Sequence, residues 1–321
     1  GAQLSASEQV QGIMFTGSTE VAKILQKTVA KRLCKNGESI PLIAETGGQN
    51  AMIVDSSALT EQVVLDVVSS AYDSAGQRCS ALRVLCVQED NADAVIHMLK
   101  GAMQQLQVGN PYLLKTDIGP VIDAEAQENI QKHIDKMRQK GHRVHQLMRN
   151  DAQDSELNAG TFITPTLIEL PNLNDLEREV FGPVLHVIRF NQGSLKQLLE
   201  HINSKGYGLT MGLHTRIDET IQTVMTHAEV GNLYINRNIV GAVVGVQPFG
   251  GEGLSGTGPK AGGPIYLYRL MQNCSAKKLN KPFATGADLK PQVECSNSAL
   301  FLEWAAKTFP AVKLAKIENF C

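Results

Sequence analysis

Short apolar segments typical of buried strands alternate with longer amphipathic segments along most of this chain. The clearest apolar segments are residues 51–54, 83–88 and 208–214, and each precedes a segment whose apolar residues recur at helical spacing. Alternating strands and helices with continuously apolar strands are typical of a parallel sheet whose two faces are covered by helices. The sequence therefore predicts an α/β fold.

Length, charge and cysteine usage exclude several classes of protein. The 321 residues are enough for two domains and a sizeable core, and a net charge of −2 gives no reason to expect nucleic-acid binding. No apolar run approaches the roughly 20 residues of a membrane span, and residues 1–10 do not resemble a signal peptide. The six cysteines are scattered without a CxxC pair, which favours reduced thiols. We expect a cytoplasmic protein whose chain contacts neither nucleic acid nor membrane.

One cysteine stands in a turn of small residues between a predicted helix, 58–73, and the strand at 83–88. The turn reads Ser74-Ala-Gly-Gln-Arg-Cys79-Ser-Ala81. A thiol at such a junction can be exposed and flanked by backbone N–H groups, which lower its pKa and can hold a developing oxyanion. A small buried hydrophobic residue is the alternative for any single cysteine. The surroundings of Cys79 favour a nucleophile.

A carboxylate ends the strand predicted at residues 39–45. Glu45 is followed by Thr46 and the pair Gly47-Gly48, and glycines permit backbone conformations that are closed to other residues. Glu45 can therefore turn toward a neighbouring group and serve as a general base for Cys79. A capping or salt-bridged carboxylate is the alternative on this motif alone.

Three further segments are candidates for ligand contacts. The turn after a strand at 12–15 opens a helix whose free N–H groups suit a pyrophosphate, although GxGxxG is absent and an ordinary strand–helix turn is the alternative. Glu179 and Phe181 precede Gly-Pro, where they can contact a sugar and a flat ring or simply begin a strand. The glycine-rich segment 241–263 permits close backbone approach to a ligand and does not match Walker A.

Three histidines, His133, His142 and His145, lie on or near a charged helix predicted at 123–140. No carboxylate or cysteine pattern accompanies them, so the sequence favours a solvated helix face and predicts no metal site.

Five motifs stand in the order found in the aldehyde dehydrogenase superfamily, which the chain resembles over about residues 10–270. They are Phe15-Thr-Gly-Ser-Thr19, Glu45-Thr-Gly-Gly48, Gly76-Gln-Arg-Cys79, Glu179-Val-Phe-Gly-Pro183 and Pro248-Phe-Gly-Gly251. The finer spelling at 44–50, 78–81 and 245–263 resembles the L-glutamate γ-semialdehyde (1-pyrroline-5-carboxylate) dehydrogenase branch. It is most similar to the C-terminal part of the bacterial bifunctional proline utilization A family.

The resemblance implies NAD-dependent oxidation of L-glutamate γ-semialdehyde to L-glutamate in proline catabolism. Cys79 would attack the aldehyde to give a thiohemiacetal, and oxidation would leave a thioester. Glu45 would activate the water that hydrolyses this thioester. The backbone N–H of Cys79 would supply half of the oxyanion hole.

The resemblance also implies a set of ligand-binding residues. Glu179 would hold the nicotinamide ribose and Phe181 would lie against the nicotinamide side, while Ser80 would anchor the α-carboxylate of the aldehyde. The other cofactor-binding residues would be Thr16, Gly17, Ser18 and Gly47, and the other substrate-binding groups would be the backbone of Gly241 and Ala242 and the ring of Phe249.

The implied architecture is an aldehyde dehydrogenase-like parallel-sheet catalytic domain with the C-terminal part of a Rossmann-like NAD-binding domain. Residues 1–46 would be the remnant of the NAD-binding domain, 47–271 the catalytic domain with its substrate-anchor loop, and 272–321 a linker with a truncated segment. FAD would belong only to the proline dehydrogenase domain upstream in the bifunctional proteins. We expect a homo-oligomer, and a peripheral association of the whole protein with the inner membrane is left open.

Two other readings stay open at this point. The first is a general NAD(P)-dependent aldehyde dehydrogenase, against which Ser80 and the long glycine-rich segment argue. The second is a chain that is inert in isolation. Residue 1 is not Met and a strand follows almost at once, so we expect a part of a longer protein whose missing residues are N-terminal. In the family, those residues include an asparagine of the oxyanion hole and the groups that hold the adenosine ribose.

Overall fold

The computed structural model describes residues 1–32, 37, 39–148 and 160–270, which belong to a compact unit spanning Gly1–Gln272. Its helices are α1 (Ala2–Ala6), α2 (Thr19–Ala30), α3 (Thr60–Tyr72), α4 (Glu89–Met103), α5 (Ala124–Gln139), α6 (Leu195–Ser204), α7 (Asp218–His227) and α8 (Tyr266–Leu270). Its strands are β1 (Ile13–Thr16), β2 (Leu42–Glu45), β3 (Ala51–Val54), β4 (Val84–Gln88), β5 (Arg143–Gln146), β6 (Thr166–Glu169), β7 (Val184–Phe190), β8 (Tyr207–Gly208), β9 (Thr210–His214), β10 (Asn232–Ile235) and β11 (Glu252–Gly253).

A seven-stranded sheet forms the centre of this unit, in the order β10-β9-β3-β4-β7-β6-β5. Every neighbouring pair is parallel except β5 and β6, which are antiparallel. The α/β prediction is confirmed. The one difference is the antiparallel edge strand β5, which the sequence did not predict because side-chain periodicity reveals a strand but not its direction. All residues of β3 and β4 are buried, as expected for central strands covered on both faces.

A separate two-stranded parallel sheet joins β1 to β2, and Thr16 pairs with Glu45 at its end. This sheet and α2 share a small apolar cluster of their own, distinct from the main core. The cluster contains Val29, Ile40, Leu42 and Ala44. A domain boundary at residue 46 remains a prediction, which this separation of cores favours.

Two strands are shorter than the sequence predicted. The strand predicted at residues 39–45 begins at Leu42, and the segment 161–168, whose apolar residues also predict a strand, forms one only from Thr166. Pro41 and Pro165 directly precede them, and a proline has no N–H to donate to a neighbouring strand. The polar segment 150–159, whose composition predicts a loop, and the segment 272–321 lie outside the described residues.

The predicted site residues collect at one edge of the large sheet. Gly47 shortly precedes β3, Cys79 shortly precedes β4, and Glu179 shortly precedes β7. Because these strands are parallel, their amino ends share one edge. Glu45, the last residue of β2, leads into β3 at the same edge. Within the ranges that the structure describes, no helix is long and apolar enough to cross a membrane.

Candidate active site

The turn that carries Cys79 begins with three consecutive residues in the left-handed region. Ser74, Ala75 and Gly76 have φ values of 56°, 54° and 64°. For residues other than glycine, this conformation costs on the order of 1 kcal/mol or more each, so the surrounding structure must hold the turn in place. Gly76 cannot be replaced without movement, because a Cβ there would lie 2.2 Å from the carbonyl oxygen of Gly182.

Asn50 fixes the far side of this turn. Its buried Nδ2 donates hydrogen bonds to the carbonyl oxygens of Cys79 at 2.7 Å and Ala81 at 2.8 Å. Its Oδ1 accepts from the backbone N–H of Thr210 at 3.2 Å. From its position before β3, the Asn50 side chain therefore joins β9 to the turn of residues 74–81, which is called the nucleophile turn below after the predicted role of Cys79.

Arg83 fixes the near side, and it is only 2% exposed. Its guanidinium donates to the carbonyl oxygens of Gly76 at 2.7 Å, Arg78 at 3.1 Å and Gly182 at 3.2 Å. It also forms an ion pair with Glu179 at 3.2 Å, which supplies the counter-charge that a buried cation needs. Sequence reasoning placed Arg83 at the start of a strand and missed this role, although a lone charge opening an apolar strand was a signal.

The thiol of Cys79 differs from its predicted state. Its side chain is half-buried, and burial raises the thiol pKa above its usual value, with further raising by the carboxylates of Glu179 and Glu45. The backbone N–H groups of Ser80 and Cys79 act in the opposite direction, as the sequence predicted, but they do not prevail. The expectation of a lowered pKa was therefore wrong, because burial and like charge outweigh two amide dipoles.

Glu45 points into the glycine-rich segment. Its Oε2 accepts a hydrogen bond from the backbone N–H of Gly251 at 2.8 Å, while Oε1 is buried with no hydrogen-bond partner among the described residues. A Cβ on Gly250 or Gly256 would lie 2.9 Å from Oε1, so only glycines leave room for the carboxylate. Burial raises the pKa of Glu45 to about 7, against the lowering effect of the Gly251 N–H. A carboxyl with this pKa can act as a general base near neutral pH.

The proposed pyrophosphate turn lies beside Glu45. The Gly17 N–H donates to the backbone carbonyl of Glu45 at 3.1 Å, and Ser18 caps α2 by accepting from Val21 N–H at 3.3 Å. Thr16, Gly17 and Ser18 are exposed. The N–H groups of Gly17 and Val21 are thus occupied, and the exposed start of α2 offers its positive dipole end, which fits a phosphate group.

Glu179 lies against Gly47 and above the nucleophile turn. A Cβ on Gly47 would stand 1.6 Å from Oε2 of Glu179, so this close approach requires glycine. Burial raises the pKa of Glu179, while Arg83 and the N–H of Gly48 lower it. The Phe181 ring stacks on the Arg83 guanidinium at 5.1 Å. The predicted acid and aromatic pair therefore converges on one cation.

The substrate-binding residues meet only in part. Ser80 Oγ accepts a hydrogen bond from the backbone N–H of Gly241 at 2.9 Å, so the structure brings these two predicted anchors together. Ala242 follows on the same half-buried loop. Half-buried Phe249 pairs through its backbone with Ala261, at the other end of the glycine-rich segment.

The histidines form no metal site in the part of the chain that the structure describes. His133 does not occupy a solvated helix face as predicted: its Nε2 lies 2.9 Å from Nε2 of His186, and burial lowers its pKa to about 4. The helical pattern did not reveal that its face meets β7.

Replacing Glu179 by glutamine is expected to lower the thiol pKa of Cys79, because one of the charges that raises it disappears. The rate of Cys79 alkylation by iodoacetamide at pH 8 should then increase several-fold, measured by peptide mass spectrometry. Glu177→Gln is the matched control, because Glu177 is an exposed carboxylate that pairs with Lys136 and lies outside the turn. An unchanged rate in Glu179→Gln would show that Glu179 does not act on the thiol.

The chain is similar to known proteins in both sequence and fold. The family model described as "Aldehyde dehydrogenase family" matches residues 1–275. The "Bifunctional protein PutA" of Klebsiella aerogenes is 61% identical over 314 residues, which are 95% of this chain and 24% of that protein. The chain therefore spans about a quarter of the length of this relative.

Two solved structures are similar in fold. A crystal structure of a bifunctional proline utilization A protein has a TM-score of 0.77 at 51% identity, covering 84% of this chain and 26% of that one. The structure of a 1-pyrroline-5-carboxylate dehydrogenase from Thermus with bound NAD has a TM-score of 0.74 at 34% identity, covering 84% and 51%. With the family match over more than half its length, the chain belongs to the aldehyde dehydrogenase family.

Proposed function

We propose that this chain carries the catalytic groups for NAD-dependent oxidation of L-glutamate γ-semialdehyde to L-glutamate. The observation that carries the proposal is that Cys79, flanked by two backbone N–H groups, lies near enough to Glu45 for the carboxylate charge to act on its thiol, and that the Glu45 carboxyl has a pKa of about 7. A nucleophile and a base of this kind are what covalent aldehyde oxidation requires.

The first step is addition of Cys79 to the aldehyde. The thiol loses its proton to solvent, which reaches the half-buried side chain, and the sulfur forms a bond to the carbonyl carbon. The carbonyl electron pair moves to oxygen, where the N–H of Cys79 stabilises the charge. This tetrahedral centre holds the hydride that oxidation removes.

The cofactor would lie across the carboxyl ends of β1 and β2, close to Glu179. Thr16, Gly17 and Ser18 would hold its pyrophosphate, Gly47 and Glu179 its nicotinamide ribose, and Phe181 the side of its nicotinamide. When bound, NAD⁺ supplies the hydride acceptor. The NAD-bound Thermus dehydrogenase supports this choice of cofactor.

Removal of the hydride would leave Cys79 as a thioester, and Glu45 would act as the general base for its hydrolysis. Its ionised carboxylate takes a proton from water, and the hydroxyl oxygen bonds to the thioester carbon. The carbon–sulfur bond then breaks, which releases the acid and the Cys79 thiolate. To turn toward the thioester, Glu45 would give up its hydrogen bond with the Gly251 N–H, because its Oε1 has no hydrogen-bond partner among the described residues.

Substrate choice would rest on the loop that meets Ser80. The Ser80 hydroxyl and the backbone of Gly241 and Ala242 would hold an α-carboxylate, with Phe249 against the aliphatic carbons. We further propose a cytoplasmic location, in keeping with the free thiols of Cys79 and Cys86. We also propose that the protein is a homo-oligomer.

Substrate competition tests this function. The chain spans about a quarter of the K. aerogenes relative. The enzyme tested is therefore this chain preceded by the part of that relative N-terminal to the matched region, called the complemented enzyme. We expect kcat/KM for L-glutamate γ-semialdehyde to exceed that for propanal at least about 10²-fold, because a site built for a polar group is left unpaired by an apolar substrate. Ser80→Ala should lower the ratio of kcat/KM for L-glutamate γ-semialdehyde to kcat/KM for propanal.

Exposed Ser204 provides the control, and Ser204→Ala should leave the ratio unchanged. Equal turnover of both aldehydes would identify a general aldehyde dehydrogenase instead. The isolated chain is measured in parallel, and turnover by the complemented enzyme alone would show that this chain is inert without upstream residues.

A further inference from the structure

Four carbonyl oxygens of the nucleophile turn are held by only two side chains. Arg83 donates hydrogen bonds to the carbonyl oxygens of residues 76 and 78, and Asn50 donates to the carbonyl oxygens of residues 79 and 81. Both side chains are nearly fully buried, at 2% and 3% exposure. Burying a guanidinium and a primary amide is costly unless their donors are used, and Arg83 Nε has no hydrogen-bond partner among the described residues. The position of the two side chains beside this turn therefore calls for an explanation.

Peptide geometry supplies that explanation. A trans peptide is planar, so its C=O and N–H point in opposite directions. The peptide between residues 78 and 79 has its carbonyl drawn to Arg83, at 3.1 Å, and the N–H of Cys79 therefore points away from the guanidinium.

The next peptide is held in the same way by the other side chain. The carbonyl of Cys79 is drawn to Asn50 Nδ2 at 2.7 Å, so the N–H of Ser80 points away from the amide. These two N–H groups are the ones that interact with the sulfur of Cys79. Each of the two flanking peptides thus has its own buried donor behind it.

We propose that Asn50 and Arg83 are positioning residues, which hold the two peptide planes around Cys79 so that both N–H groups face its sulfur and the oxyanion formed there. The proposal rests on Cys79 being the nucleophile of the proposed function. Neither side chain is hydrogen-bonded to the reacting atoms in the structure. Both hold the backbone, and the Arg83→Lys variant used below keeps the charge that Arg83 also places near Cys79. Arg83 also joins the turn to Glu179, so a cofactor contact at Glu179 and the nucleophile share one buried support.

Alkylation of Cys79 across pH tests the proposal without any turnover. The variants are Asn50→Leu, which removes the two donor bonds at similar volume, and Arg83→Lys, which retains the charge but not the forked donors. We expect the pH of half-maximal alkylation by iodoacetamide to rise by about one unit in each, the effect of one hydrogen bond to a charged group. Leu199→Ala, a buried change in α6 away from the turn, controls for general destabilisation.

Steady-state kinetics of the complemented enzyme provide the second readout. Loss of an aligned oxyanion donor should reduce kcat about 10²-fold while KM for the aldehyde stays nearly constant. Folded variants whose alkylation midpoint matches the parent would overturn the proposal, and Arg83→Lys alone decides if Asn50→Leu does not fold. A shifted midpoint in an enzyme that shows no Cys79-dependent NADH formation would instead refute the proposed function.

Discussion

Replacement of Cys79 by alanine is expected to abolish NADH formation by the complemented enzyme, with a loss of at least about 10⁴-fold in kcat. The reason is chemical: water adds poorly to an aldehyde to give the tetrahedral centre from which hydride leaves, and no other thiol lies in the turn. Binding of the cofactor should be retained, because the residues proposed to hold it are unchanged. Initial rates at 340 nm and a cofactor titration measure the two effects.

Cys86 provides the matched control for this substitution. It is the other free cysteine among the described residues, and it is fully buried in β4. Cys86→Ala should therefore retain most of the activity. Residual turnover within about tenfold of the parent in Cys79→Ala would mean that oxidation does not proceed through Cys79.

Replacement of Glu45 by glutamine is expected to stop the reaction after one turnover. Glutamine has the same shape and can still accept from Gly251, but it cannot take a proton from water. Acylation would proceed and deacylation would fail, so rapid mixing should show a burst of about one NADH per site. The steady rate after the burst should fall roughly 10²–10⁴-fold.

The pH dependence of the parent enzyme follows from the same carboxyl. Since only ionised Glu45 is a base and its pKa is about 7, the deacylation rate should rise through pH 7 and level off above it. Stability should change in the opposite sense. The folded carboxyl holds its proton between pH 4.5 and about 7 while the unfolded one does not, so its contribution to stability is lost as the pH rises through that interval. A steady rate independent of pH between 6 and 8 would argue against Glu45 as the base.

Much of the fold could be predicted because the strands of this sheet are uninterrupted apolar segments. β3 and β4 match their predicted positions within a residue, and the turn before β4 contains mostly small residues and a single thiol. The two strands that were predicted too long both follow a proline, whose missing N–H the apolar pattern does not register. The reversed direction of β5 likewise leaves no trace in periodicity.

The sequence predicts the residues of the proposed site, and these residues remain a prediction, whereas it does not predict the electrostatics of the site. Five short motifs identified Cys79, Glu45 and Glu179, because glycines and a cysteine in fixed order are specific signals. The raised pKa of Cys79 was missed, since burial depends on how Arg83 and Glu179 pack over the turn. Asn50 was missed for a related reason: its two donor bonds reach residues about thirty positions along the chain.

The central claim is that Cys79 becomes covalently acylated by the aldehyde, and trapping that species tests it most directly. The complemented Glu45→Gln enzyme is mixed with NAD⁺ and L-glutamate γ-semialdehyde, quenched rapidly in acid, and digested for mass spectrometry. We predict that the peptide containing Cys79 carries the mass of a glutamyl thioester, and that omission of NAD⁺ removes it. An unmodified Cys79 peptide from enzyme that has formed NADH would contradict the account.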